Sequence, residues 1–347
     1  RVVIITSNPG DLPLRETVGE SIEVLRIPSR QLMGGRYPVP RRDGSWERAL
    51  AELEREVPDG IIINTRFYPL SLIGAQTAAR MGVVPVVVEH GSAHLTAGSA
   101  LADPVIEAVE HAITRKMKTY GGRYYAVSEA GCRWLGHFGI EARGILSNAI
   151  DAEAFRASAS DRDFRAELDI APHVFAVAFV GRLAPEKGVE ALARAAALLA
   201  HRGDVAVIAA GDGPLGSKLA ESLPPNMHLV GSLGPSDVSA LLRICDGFCM
   251  PTRSEGFATA LLEAAAWECA PAITDVGGAA ELIPNEDYGI ILKDAEPQTV
   301  ADALDCPPEA LCFTSCGTEG DNWAIQAALW QNRRVGKHIV TTAVEHS

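Results

Sequence analysis

Short apolar runs rich in β-branched residues alternate with helical patterns along most of the chain, and this alternation limits the fold more than any single motif. "VVIIT", "IEVLRIP", "DGIIINTR", "VPVVVEH", "YYAVS" and "GILSN" read as strands, with helices expected at 45–57, 70–81, 103–118 and 128–138. "DAEAFRASASDRDFRAEL" then interrupts with small and charged residues and no strand pattern. A second series follows: "VFAVAFVGR", "VAVIAAG", "MHLVGS", "GFCMP", "APAITDVG" and "GIILK". Its helices are expected at 189–201, 215–222, 235–244, 258–268 and 278–283. Strands that are apolar throughout, with helices between them, are buried on both faces of parallel sheets. Two such series imply an α/β protein of two facing, doubly wound, Rossmann-like domains. Ligands of such sheets bind beyond the carboxyl ends of the strands, so a cleft between the domains is the expected site.

Composition excludes several classes. The 347 residues suffice for two domains with cores of their own. A net charge of -13 argues against a broad nucleic-acid-binding surface. No apolar run is long enough to span a membrane, and the opening "RVVIITS" reads as a strand rather than a signal peptide. The seven cysteines show no zinc-ribbon spacing. Buried free thiols are the simpler reading, and a reducing, cytoplasmic compartment follows. No cluster with metal-ligand spacing is legible, so no metal is expected.

Three stretches carry candidate chemistry. In "FVGRLAPEKG" (179–188), Arg182 and Lys187 flank a proline turn between a strand and a helix, which suits a diphosphate. An ordinary solvated loop has the same residues. In "AAGDGPLG" (209–216), Gly211 and Gly213 fit either a close backbone approach to a ligand or a plain turn. In "MPTRSEGFATALLEAAAWECAPAITDVGGAAELI" (250–283), Glu255 and Glu263 stand eight positions apart. Backbone N–H groups at Gly256, Phe257 and Ala258 would open the following helix toward an anion. A glutamate inside "TALLEAAAW" is poorly placed unless it faces a ligand or a cation; a solvent-facing position is the alternative.

In this order, "GRLAPEKG", "GDGP", "SEGFATALLEA" and "DVGGAAELI" closely resemble the donor domain of retaining glycosyltransferases of family 4, which have the two-domain GT-B fold. "VEHGSAHLT" (88–96) looks like the loop bearing that family's active-site histidine, and "VSEAGCRWLGHFGI…GILSNAID" like the end of its acceptor domain. The resemblance implies an acceptor-side domain over 1–153 and a nucleotide-sugar donor domain over 170–305. It implies that Arg182 and Lys187 hold the donor diphosphate and that Glu263 binds the ribose. Glu255 would contact the transferred sugar, with Gly256 and Phe257 beside sugar and phosphate, and His90 near the reacting carbon. Spacing alone favours a strand-end histidine satisfied by backbone at His90. The donor would be a nucleoside-diphosphate sugar, with no cofactor and no catalytic metal, and the acceptor a glycan or lipid of unknown identity. Arg115, Lys116, Lys118 and Arg123 could touch anionic lipid at the inner membrane face, although a solvated helix face explains them equally simply. Arg1 falls at the family's second strand, so its first βα unit and Gly-rich loop have no counterpart here.

After Asp305 the pattern changes. "FTSCGTEGDNWAI" and the closing "VEHS" are similar to a segment of the pyridoxal-phosphate-dependent cysteine desulfurases. That resemblance would put Gly317 and Thr318 on a cofactor phosphate and His346 on its ring, with Cys316 where a glycine is usual. The Schiff-base lysine and sulfur-carrying cysteine of that family have no counterpart, so desulfurase activity is not expected. Residues 306–347 are therefore read as a foreign fragment joined to a truncated glycosyltransferase, an artefact of gene prediction or assembly. The remaining alternative is a nucleotide-binding fragment without catalysis.

Overall fold

The computed structural model describes residues 1–305 except 9, 11, 33–36, 42–43, 45–46, 48–49, 52–53, 55–57 and 97–98. The chain divides into two compact units. One comprises Arg1–Ala149 with Ser254–Ala258 and Val276–Glu281; the other comprises Ile150–Arg253, Thr259–Asp275 and the described residues from Leu282 onward. Among the described residues no helix is long and apolar enough to cross a membrane.

The first unit holds two sheets. β1 (Val2–Asn8) pairs in parallel with β3 (Ile22–Leu32), and β2 (Arg15–Val18) and β4 (Tyr37–Pro40) add antiparallel to β3. This mixed sheet departs from the parallel pattern expected of the series. "RETV" is exposed along its length, and "YPVP" carries two prolines, which apolar-run reading assigns to turns. The second sheet is parallel, in the order β5 (Ile62–Asn64), β6 (Val86–Glu89), β7 (Arg123–Ala126). Helices Pro69–Met81, Asp103–Lys118 and Glu129–His137 connect and follow these strands. The last is started by Ser128, whose side chain accepts a hydrogen bond from the Gly131 amide at 3.0 Å. Val87, Met117, Tyr124, Leu135 and Phe138 form its apolar core. "GILSN" makes only an isolated bridge, Ala126 to Ile145. The helix expected at 45–57 falls largely outside the described residues.

The second unit is one six-stranded parallel sheet. Its order is β10 (Met227–Gly231), β9 (Val205–Ala210), β8 (Phe175–Val180), β11 (Gly247–Met250), β12 (Ala270–Thr274), β13 (Ile290–Leu292). Every residue of β9, β11 and β12 is buried, which is why these strands read as unbroken apolar runs. Helix Val189–Leu199 packs its Val189, Leu192, Ala196 and Leu199 face inward and meets helix Pro297–Leu304. Cys245, Cys249 and Cys269 are free, buried thiols, and burial pushes Cys249 up to about 12. The chain runs outward from β8 to β10, then returns to β11 on the other side of β8. That reversal is a topological switch point, where strand ends splay their following loops apart and leave a crevice.

Candidate functional site

At the switch point of the second unit, β8 ends in Gly181–Arg182 and β11 in Pro251–Arg253. The loop after β8 folds into a short 3₁₀ turn, Pro185–Lys187, closed by the Lys187 amide donating to Ala184 O at 3.0 Å. Gly188 follows at φ 72, and a side chain there would run into Pro251 O, 1.9 Å from an added Cβ. The two strand ends are stitched together: the Arg253 amide and the Thr252 hydroxyl both donate to Glu186 O, at 2.8 and 3.0 Å. Arg182 forms an ion pair with Glu186 and keeps 37% of its side chain exposed. Lys187 is half-buried in the same turn.

The second glycine loop serves this first loop. An added Cβ on Gly211 would stand 1.9 Å from Gly181 O, and one on Gly213 would stand 2.5 Å from Leu183 O. The Leu183 amide donates to Asp212 O at 2.9 Å, and the Leu215 amide donates back to Leu183 O at 3.0 Å. These glycines are therefore required by backbone packing of loop on loop, which neither sequence alternative named. Helix Thr259–Ala266 follows β11 and carries Glu263 half-buried near its middle. Among the described residues no hydrogen bond or ion pair reaches the Glu263 carboxylate. Burial pushes its pKa above the usual glutamate value. The helix opens at Thr259, so the amides of Gly256, Phe257 and Ala258 precede its first turn instead of forming it.

His90, Glu255, Gly256 and Phe257 all belong to the first unit. His90 stands just beyond β6, its Nε2 3.0 Å from Oδ1 of Asn64 at the end of β5. With that oxygen accepting, the ring carries its proton on Nε2 and leaves Nδ1 as the lone pair. The residue is exposed overall, yet partial desolvation holds its pKa below the usual histidine value, opposed by the neighbouring Glu89 charge. Gly256 lies against this residue: an added Cβ would sit 1.7 Å from His90 O. Ser92 Oγ donates to Glu255 O at 2.5 Å, and the Gly278 amide donates to Gly256 O at 3.0 Å. Phe257 is buried, its ring over Gly278, and Asn148 Nδ2 donates to Phe257 O at 3.1 Å. The structure thus brings His90, Glu255, Gly256 and Phe257 together in one unit, and places Arg182, Lys187 and Glu263 in the other.

Two groups of polar residues escaped the sequence reading. Arg66 is fully buried between the buried carboxylates of Glu89 and Glu110. His94, Glu107, His111 and His137 place one ligand atom each within 4.8 Å of one another, a grouping the sequence reading did not name. Only the Glu107 and His111 spacing, one helical turn apart, was visible as a local pattern. The desulfurase-like stretch with Cys316, Gly317, Thr318 and His346 lies outside the described residues.

Residues 160–306 match the family described as glycosyl transferases group 1. A GDP-mannose-dependent alpha-mannosyltransferase of Mycolicibacterium smegmatis is 28% identical over 294 residues, covering 84% of this chain and 75% of that protein. A cysteine desulfurase IscS of Methanosarcina thermophila is 52% identical over 46 residues, only 13% of this chain and 11% of that protein. Most of the curated relatives compared are thus covered over well under two thirds of their own length. Among solved structures, sucrose-phosphate synthase from Thermosynechococcus elongatus superposes with a TM-score of 0.66 at 16% identity, covering 96% of this chain and 88% of that one. Anabaena HepE in complex with UDP and glucose gives 0.61 at 18% identity, covering 90% and 84%. Together with the six-stranded parallel sheet, these neighbours make the fold GT-B.

Proposed function

We propose that the chain is a retaining glycosyltransferase that takes a sugar from a nucleoside-diphosphate donor and passes it to a glycan or lipid acceptor. Residues 170–305 bind the donor and 1–153 the acceptor, at the cytoplasmic side. The observation that carries this reading is Glu263, a half-buried carboxylate without a partner among the described residues, on the helix that leaves the switch point. A carboxylate in that position is served by hydroxyl donors, and a ribose offers two. Arg182 and Lys187 stand at the neighbouring strand end as counter-charges for the diphosphate. The Arg182–Glu186 pair does not prevent this. A partly exposed ion pair contributes about 0–1 kcal/mol, less than a forked, charge-assisted contact to phosphate. As the bond to the sugar breaks, these cations stabilise the leaving diphosphate, where the charge develops. The sugar contacts are assigned to His90, whose Nε2 lies 3.0 Å from Asn64 Oδ1, and to the Glu255–Phe257 segment beside it.

The test is calorimetric titration of the full chain with UDP, GDP and ADP, with and without chelator. Binding of at least one, unaffected by chelator, is expected; a folded sample that binds none of the three overturns the donor assignment. Release of labelled sugar from the matching donor separates an enzyme from a nucleotide-binding fragment.

The short, high-identity match to a cysteine desulfurase supports a second reading for residues 306–347 alone, as a fragment of such an enzyme. Deleting them should leave nucleotide affinity unchanged, and the full chain should show no pyridoxal-phosphate absorbance and release no sulfide from cysteine. A stoichiometric, borohydride-trappable adduct would overturn this reading.

A further inference from the structure

We infer that His94, Glu107, His111 and His137 form a binding site for one divalent ion of the zinc class, in the first unit and separate from the residues assigned to sugar transfer. His94 comes from the loop after β6, Glu107 and His111 from one face of helix Asp103–Lys118, and His137 from the last turn of helix Glu129–His137. The three imidazole rings are nearly equidistant, with centroids 5.6, 5.4 and 5.3 Å apart. Their nitrogens and a Glu107 oxygen all lie within 4.8 Å of one another.

A second observation points to a ligand. His94 Nδ1 is 2.8 Å from Oε2 of Glu110, a carboxylate that is 1% exposed and itself held 2.5 Å from Arg66. That bond fixes the ring so that Nε2 faces the cluster, 3.4 Å from Glu107 Oε1. A carboxylate behind a histidine, with the other ring nitrogen turned to a shared point, is the arrangement that orients metal ligands. Trp134 stacks parallel on His137 at 5.0 Å and edge-on to His94 at 4.6 Å, which limits how these rings turn. Aromatic packing explains the stacking but requires neither the Glu110 bond nor Glu107.

Donor chemistry selects the ion. Three imidazoles and one carboxylate suit zinc and its neighbours, whereas calcium and magnesium take oxygen ligands. Four protein ligands complete a tetrahedron, so the site is structural and leaves no open position for substrate. Tetrahedral zinc with nitrogen at about 2.0 Å spaces its ligand atoms by roughly 3.4 Å, so binding draws the side chains inward. The partly exposed Glu107 and His111 are free to make that movement. The ion would tie the loop carrying His90, Ser92 and His94 to both helices.

The experiment uses the full chain, stripped with chelator and titrated with CoCl2 and with ZnCl2 against a chromophoric competitor. One equivalent should bind, with the intense visible absorption of tetrahedral Co(II). His111→Ala and His137→Ala should each weaken Zn(II) binding roughly tenfold or more, while His201→Ala, on the exposed surface of the other unit, should not. Glu107→Gln, at a residue exposed enough to leave folding intact by circular dichroism, should weaken binding and shift the Co(II) spectrum, because water then completes the tetrahedron. Absence of stoichiometric uptake by folded wild-type protein, or unchanged affinity in the His111→Ala/His137→Ala double variant, would overturn the site.

Discussion

The two units solve burial in opposite ways. The second is a sheet whose strands β9, β11 and β12 are buried at every position, with Phe179, Ile208 and Phe248 wholly enclosed. The first encloses an arginine. Arg66 lies between Glu89 and Glu110, with its guanidinium 3.8 Å from the centroid of the Phe138 ring, while its Nε has no hydrogen-bond partner among the described residues. An apolar sheet gains stability in proportion to buried area and tolerates local change. A buried ion network contributes little net stability when whole and costs much when one member is removed. The first unit should therefore be the brittle one, and its network reaches the proposed sites: Glu89 adjoins His90, and Glu110 holds His94.

The sharpest way to break this comparison is Arg66→Ala. It leaves two carboxylates buried without a counter-charge, and should cost about 3–5 kcal/mol. Urea unfolding of the full chain, followed by probes specific to each unit, would show the first unit unfolding early. A loss below about 1 kcal/mol would mean that water or neighbouring groups already neutralise the carboxylates, and the contrast between the units would fail.

Lys187→Ala addresses function in the second unit with little effect on folding, because the 3₁₀ turn is closed by backbone. Loss of a charged hydrogen bond to a diphosphate should weaken nucleotide binding by about 1.5–3 kcal/mol, measured by titration. Gly211→Ala tests the opposite property. At φ 144, with Gly181 O 1.9 Å from the added Cβ, it should destabilise the second unit by about 1–3 kcal/mol and displace the loop that carries Arg182. If stability is unchanged, the loop-on-loop packing is looser than its geometry implies.

The same contrast explains what could be read in advance. Every strand of the second unit was legible, because burial on both faces writes a continuous apolar run into the sequence. The sequence singled out Glu263 and Lys187, which the structure places half-buried on the helix after β11 and in the 3₁₀ turn after β8. In the first unit, β2 and β4 were missed because edge strands bury little and carry charge or proline. Arg66, Glu110 and the histidine cluster were missed for a different reason. Apart from the Glu107–His111 pair, one helical turn apart, their partners lie between 13 and 44 positions away, for example Arg66 with Glu110, and no local periodicity records a contact made by topology. Gly211 and Gly213 were noticed, but their reason was not, because a glycine required by another loop resembles one required by a ligand.

The smallest expected effect is also the most discriminating for Glu263. Burial raises its pKa in the folded protein above the usual glutamate value, so the folded state holds this proton more tightly than the unfolded state. Its contribution to stability is therefore present below the unfolded pKa and is lost as pH rises through the folded one. Glu263→Gln removes that dependence. Wild type and variant should be similar in stability at acidic pH, and the variant should gain a modest advantage toward neutrality. Nucleotide binding should move the other way. Ribose hydroxyls donate to an ionised carboxylate more strongly than to an amide oxygen, so the wild type should bind better as the carboxyl ionises. One residue would then destabilise the free protein and strengthen the complex over the same pH range. Thermal unfolding and nucleotide titration from acid to neutral pH read both effects. If Glu263→Gln raises stability but leaves affinity unchanged at every pH, the carboxylate is only poorly solvated, and the ribose assignment falls.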